Sequence, residues 1–309
     1  MAVLPASVLL TTGRGGLPVL RVDGPAARAE IYLHGATVTQ WAPRGRDPVL
    51  WLSSASQYTR GAGIRGGVPI CFPWFGALPG HPESPSHGFA RLSQWSLVGA
   101  EDDGDDVSVR LRLTDDDSTR ASPWPHRFEA LYSVVVGSRL SLALQVTNRD
   151  DEAVVFEEAL HTYLAVRDIR STQVCGLEGN PFHDRLVGPE PMPGEPDPVS
   201  FSAVTDRIYL NTTASTTIRD GDGGPSVVIS KNGSDATVVW TPWVDRARAA
   251  ADFGDNEWST MVCVETCNIR ETSVRLAPGA SHTMVATFEL SPIDPGTDAK
   301  ISEPRSPSP

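Results

Sequence analysis

The chain is poor in cysteine, basic charge, clustered histidine and long apolar runs, and each shortage narrows what it can be. Four cysteines in 309 residues, at positions 71, 175, 263 and 267, show no disulfide-framework spacing. Free thiols in a reducing compartment are the economical reading, so a cytoplasmic location is expected. Cys263 and Cys267 do not form a Cys-x-x-Cys pattern and no histidine cluster lies beside them in sequence, so no metal site is expected. Lys and Arg number 26 against 38 Asp and Glu, a net charge of −12. Nucleic acid and anionic membrane surfaces require a basic face, so neither is an expected partner. No apolar run is long enough to span a bilayer. The start, Met-Ala-Val-Leu-Pro-Ala-Ser-Val-Leu-Leu, lacks the basic opening of a secretory signal and contains Pro5; it reads as the approach to a strand.

Helical periodicity is scarce too. The 26 prolines and 27 glycines favour many turns, and the one helix candidate runs from Val244 to Ala251. What recurs is period 2. Val107, Val109, Leu111 and Leu113 alternate with Ser108, Arg110 and Arg112; Leu140, Leu142, Leu144 and Val146 alternate with Ser141, Ala143 and Gln145. Gly137-Ser138 supplies a two-residue turn, and the acidic run Glu101 to Asp106 reads as a solvated hairpin tip. Further strands are expected at 18–22, at 29–41 with a break at Gly35, and at 48–52, 94–98, 131–136, 154–166, 207–210, 216–219, 226–230, 236–240, 260–268 and 281–290. The proline-rich stretch from Asn180 to Ser200 reads as an ordered surface loop. Period 2 with regular turn signals marks antiparallel sheet buried on one face. The expectation is an all-β protein: a large antiparallel β-sandwich with few short helices, a single domain over residues 1–290, and a disordered Pro/Ser-rich tail over 291–309.

One stretch departs from this pattern. Ile64-Arg-Gly-Gly-Val-Pro-Ile-Cys-Phe-Pro-Trp-Phe-Gly76 is apolar and aromatic but punctuated by glycine and proline, and His87-Gly-Phe-Ala-Arg91 follows. Gly66 and Gly67 permit positive φ or close approach of backbone to a ligand. Arg65 and Arg91, brought together by a loop, would make a phosphate clamp, each giving parallel charge-assisted hydrogen bonds; a core turn with both arginines paired to acidic neighbours fits the same residues. His87, in a loop beside aromatics, is a candidate ligand contact. His161, read as mid-strand in 154–166, is either a satisfied core histidine or a catalyst. Glu265 sits in the apolar strand Met261 to Ile269, where a carboxylate is costly unless paired or functional; salt bridge and general base both fit. Asp206 is either a turn residue or a hydroxyl acceptor. Cys263 and Cys267, on the strand face of Glu265, read as packing. Trp240 and Trp243 suit either core burial or the C–H face of a sugar.

In order, the segments Leu33-His-Gly-Ala-Thr-Val-Thr-Gln-Trp41, Arg65 to Gly76, His87 to Arg91, Ala159-Leu-His-Thr-Tyr163, Asp206-Arg-Ile-Tyr-Leu-Asn211 and Val264-Glu-Thr-Cys-Asn268 resemble the aldose 1-epimerase (galactose mutarotase-like) superfamily. They are most similar to its glucose-6-phosphate 1-epimerase, or D-hexose-6-phosphate epimerase, branch. The resemblance implies a galactose mutarotase-like supersandwich, with His161 as catalytic acid and Glu265 as catalytic base. It implies Asp206 as a sugar-hydroxyl contact, Arg65 and Arg91 as phosphate contacts, and His87 near the sugar ring. Many relatives carry Gln or Asp before the His-Gly-Phe-Ala-Arg segment, where this chain has the shorter Ser86 as the candidate contact. The implied activity is interconversion of α and β anomers of a hexose 6-phosphate by acid–base ring opening, which needs no cofactor, in a protein expected to be monomeric. A non-catalytic carbohydrate-binding sandwich, or a glycoside hydrolase pairing Glu265 with Glu157 or Asp206, are the alternatives.

Overall fold

Strand pairing is dictated by the alternation described above. In the computed structural model, which describes residues 4–221 and 225–291, the period-2 segments Val107–Thr114, Phe128–Val136 and Arg139–Asn148 pair antiparallel in sequence order. Val107, Val109, Leu111, Val134, Val136, Leu140, Leu142 and Leu144 are buried on one face. These strands belong to a nine-stranded sheet ordered Val199–Ser200, Thr172–Cys175, Thr216–Asp220, Val227–Asn232, Ser281–Leu290, Arg139–Asn148, Phe128–Val136, Val107–Thr114, Ser96–Asp102. The acidic run forms the turn between its last two members, with Gly104 at φ 105°.

An eight-stranded sheet packs against it. Its order is Pro191–Met192, Phe182–Asp184, Thr205–Leu210, Ala236–Thr241, Met261–Asn268, Glu158–Leu160, Ile70–Cys71, with Tyr163–Ala165 also pairing to Met261–Asn268. Because pleated strands present alternate residues to opposite faces, Val239, Val262, Val264, Leu160, Leu164 and Ile70 join the nine-stranded sheet's Leu142, Leu144, Met284 and Phe288 in one core. Each such fully buried aliphatic side chain contributes about 1.5–3 kcal/mol. A four-stranded sheet, Val8–Thr12, Pro18–Asp23, Ala27–Tyr32 and Val38–Pro43, and a two-stranded ribbon, Val154–Phe156 with Val274–Leu276, complete the all-β, antiparallel sandwich. The α-helices among the described residues are short, Asp117–Arg120 and Trp243–Ala249.

Several local expectations need correction. The single strand over 154–166 is three, Val154–Phe156, Glu158–Leu160 and Tyr163–Ala165, and they serve different sheets. His161 is therefore not mid-strand but in the break between two of them, its amide bonded to the Pro69 carbonyl at 3.0 Å. The proline-rich segment contains the paired strands Phe182–Asp184 and Pro191–Met192. Residues 48–52 make only isolated bridges. The tail expected at 291–309 lies, from residue 292 on, outside the described residues; Ser291 still donates its amide to the Ser226 carbonyl at 2.9 Å.

Candidate active site

The outer face of the eight-stranded sheet carries a line of polar residues. Register pairs Asp206 with Trp240, Trp240 with Cys263, and Cys263 with Tyr163, while Val238 pairs with Glu265. Paired residues and those two apart share a face, so Asp206, Trp240, Tyr163 and Glu265 emerge on the same side. Beneath them, Cys71, Ala159, Ala236, Val238, Ile208 and Cys267 form a second apolar cluster. Of these, Cys71, Ala159, Ala236 and Cys267 have small side chains. Burial pushes the Cys71, Cys263 and Cys267 thiols up, so these cysteines are floor, as the sequence suggested.

On this face lie the two residues expected to act together. His161 Nε2 stands 3.4 Å from Glu265 Oε1, with side chains 9% and 1% exposed. Burial raises the Glu265 pKa well above its ordinary value, and the nearby Asp206 carboxylate adds to this. Burial lowers that of His161, with His87, Arg91 and Arg65 adding to the effect. Both directions disfavour charge separation, so the pair holds one proton in total. The His161 ring stacks on Tyr163, centroids 4.8 Å apart and planes 11° apart, with the Trp240 indole edge-on at 6.1 Å. Trp243 instead packs on Trp258 at 4.5 Å.

The glycine-punctuated stretch sets up the rim. Gly66 and Gly67 do adopt positive φ, 114° and 64°. Their close approach is to the chain's own backbone, not to a ligand: a Cβ would lie 2.6 Å from Leu52 Cα and 2.2 Å from the Val38 carbonyl oxygen, respectively. This tight seat presents Arg65, whose Nε and Nη2 each donate to Asp252 at 3.1 Å and whose Nη1 donates to the Tyr163 hydroxyl at 3.0 Å. Arg91 donates to the Ser86 carbonyl at 2.8 Å; the exposed Ser86 hydroxyl has no partner among the described residues. His87 takes φ 65°, unusual for a side chain of its size. Its amide donates to the Gly76 carbonyl at 2.7 Å, and the Gly76 amide donates to its Nδ1 at 3.2 Å. An accepting Nδ1 fixes the neutral ring as the Nε2–H tautomer. Burial, with Arg91, Arg185 and Arg65 adding, pushes its pKa down to about 3, so His87 is a neutral donor.

Asp206 is buried, with Arg185 Nη1 3.7 Å from one oxygen and Arg246 Nη1 3.8 Å from the other. Burial raises its pKa against both guanidiniums. Arg185, Arg246 and Asp252 are members of this constellation that no local sequence signal exposed, since each comes from a different part of the chain. Glu157, by contrast, is engaged structurally: its two oxygens accept from the Phe75 amide at 2.8 Å and the Arg270 amide at 2.6 Å.

Seven buried side-chain polar atoms among the described residues have no hydrogen-bond partner, and four belong here: Arg91 Nε, His161 Nδ1, Asp206 Oδ1 and Glu265 Oε2. Such orphans cost about 1–3 kcal/mol each, so their concentration marks a place shaped for a polar ligand.

The aldose 1-epimerase family profile matches residues 18–289. A protein of Cenchrus ciliaris, provisionally named glucose-6-phosphate 1-epimerase, is 35% identical over 291 residues, covering 89% of this chain and 85% of that one. An Escherichia coli K12 protein with the same provisional name is 34% identical over 256 residues, covering 83% and 85%. A crystal structure from Salmonella typhimurium, provisionally described as a mutarotase, superposes with a TM-score of 0.87 at 29% identity, covering 94% of this chain and 96% of that one. Galactose 1-epimerase of Lactobacillus acidophilus shares the fold at 11% identity and a TM-score of 0.72. With profile, relatives and architecture in agreement over most of its length, this chain belongs to the aldose 1-epimerase family and is an isomerase of the mutarotase type.

Proposed function

We propose that the protein interconverts the α and β anomers of D-hexose 6-phosphates, with Glu265 and His161 as the proton-transfer pair. The observation that carries this reading is the 3.4 Å approach of His161 Nε2 to Glu265 Oε1 in a cluster where four buried polar atoms lack partners. Ring opening removes a proton from O1 and delivers one to the ring oxygen; rotation about C1–C2 presents the other carbonyl face, and closure reverses both transfers. The pair enters opening as the His161 imidazolium with the Glu265 carboxylate and leaves it neutral, with the proton on Glu265. Both states have zero net charge, but the first is the charge-separated form that burial disfavours, so the bound sugar's hydroxyls would have to supply the hydrogen bonds that stabilise it. General acid–base catalysis of about 10²–10⁴-fold per group suits a reaction that water already performs slowly.

Asp206 and the Nε2–H of His87 would orient sugar hydroxyls, and Ser86 lies at the rim beside them. The 6-phosphate would be met by guanidiniums, Arg91 with its unpartnered Nε and Arg65 with the donors that Asp252 and Tyr163 leave over. Binding this remote group holds the ring without touching the reacting atoms. The provisional names of the Cenchrus and Escherichia relatives favour a phosphorylated glucose. Anomeric exchange followed by NMR on glucose 6-phosphate, galactose 6-phosphate and free glucose tests the proposal. Catalysis is expected on the phosphosugars above glucose; exchange no faster than in buffer on all three would overturn it.

A further inference from the structure

The site has a third guanidinium that the reading above leaves without a task. Arg185 follows the strand Phe182–Asp184, within the proline-rich segment. Its amide donates to the Asp206 carbonyl at 2.9 Å, which anchors it beside that carboxylate. Nη1 is 3.7 Å from Asp206 Oδ1, an ion pair too long for a hydrogen bond. Nη2 lies 3.6 Å from where a Cβ would sit on Gly76, the residue whose amide donates to His87. The lack of a side chain at Gly76 leaves the guanidinium that space. Arg91, bonded to the Ser86 carbonyl, reaches the residue immediately before His87. Arg91 is therefore bonded to one backbone neighbour of the His87 imidazole, and Arg185 lies beside another.

The arginines differ in what they have left to offer. Arg65 has three donors engaged by Asp252 and Tyr163. The Arg185 side chain makes no hydrogen bond among the described residues, is 38% exposed, and retains its planar fork of donors. Arg246, 50% exposed, approaches the other oxygen of Asp206. One carboxylate between two guanidiniums leaves a surplus positive charge, in a protein whose net charge is −12. Of the two, Arg185 is the one whose field reaches His87 and Glu265.

We propose that Arg185 is a substrate-binding residue that grips the phosphate together with Arg91, so that preference for a phosphorylated sugar rests on these two arginines more than on Arg65. This rests on the hexose 6-phosphate reading and assigns it a determinant. The guanidinium fork donates to phosphate oxygens, and Asp206 stays balanced by Arg246 when Arg185 turns to the ligand.

The test compares wild type, Arg185→Ala, Arg185→Lys and Arg65→Ala in catalysed anomer exchange of glucose 6-phosphate and of glucose, and in inhibition by inorganic phosphate. Arg185→Ala is expected to raise KM for glucose 6-phosphate and the phosphate inhibition constant roughly 10- to 100-fold. The kcat/KM ratio of phosphosugar to sugar should fall by a similar factor, more than in Arg65→Ala. Lys should restore part of it, keeping the charge without the fork. Equal loss on both sugars would mean that Arg185 merely positions Asp206, and would overturn the assignment. So would an unchanged ratio in Arg185→Ala when wild type prefers the phosphosugar; that result leaves the substrate reading standing. A wild type with no such preference would overturn both. Thermal melts and the Lys variant separate a binding loss from a folding defect.

Discussion

The imidazole of His161 lies nearly parallel to the Tyr163 ring, and Arg65 holds that tyrosine's hydroxyl while gripping Asp252. An arginine that the sequence suggested as a phosphate contact thus braces the ring on which His161, of the proposed proton-transfer pair, is stacked. Tyr163→Ala removes this support. A displacement of the imidazole by about 1 Å can cost on the order of 10²-fold in rate, so kcat should fall strongly on phosphorylated and free sugar alike. Tyr163→Phe keeps the stack and should lose only a few-fold. A Tyr163→Ala enzyme with wild-type kcat in polarimetry would show that the stack does not position His161.

Glu265→Gln and His161→Gln should each reduce catalysed mutarotation by about 10²–10⁴-fold. The double variant should be scarcely worse than either single, because the two act as one proton-transfer unit. Multiplicative losses in the double variant would mean that they work independently.

Glu265 also carries a stability signature. Its folded pKa is raised by burial above the ordinary value of 4.5. Its neutral form is therefore favoured in the fold, and the associated stability is full below 4.5 and lost as pH rises through the folded pKa. Glu265→Gln escapes that loss. Its melting temperature relative to wild type should climb as pH is raised above 4.5. A difference that is constant with pH in thermal melts would contradict the assigned direction.

The pH profile of kcat follows from the same pair. Burial lowers His161 well below 6.5, so the pair gains a second proton only at lower pH, and it loses its one proton only when Glu265 ionises, well above 4.5. Catalysed mutarotation of glucose should therefore stay level as pH falls through 6.5. Glucose is the appropriate substrate because a sugar phosphate titrates itself near pH 6. An acid limb in kcat centred near 6.5 would indicate an ordinary, unburied imidazole at position 161.

Alternation was the most legible feature. Val107 to Leu113 and Leu140 to Val146 repeat the same simple pattern over seven residues each, and the pattern alone selects which face is buried. The stretch 154–166 misled because its polar residues, Glu157, Glu158, His161 and Thr162, are too few to mark an end. Such brief interruptions do not show where a strand breaks, and His161 sits in the break between two strands of the same sheet. Gly66 and Gly67 signalled close approach correctly, but the sequence could not say to what, and the partner proved to be backbone. Trp240 and Trp243 were indistinguishable by composition; only strand register put Trp240 beside His161 and left Trp243 to Trp258.

By itself the sequence determined the all-β class and the family, and through that resemblance pointed to His161 and Glu265 as the proposed acid and base, because these are written in local period and in short motifs whose order survives without coordinates. The tertiary structure decided which charges meet. Arg185, Arg246 and Asp252 reach one site from separate parts of the chain, and hydrogen bonds and ion pairs depend on distances of a few ångströms that are set only when the strands take their places in the sheet.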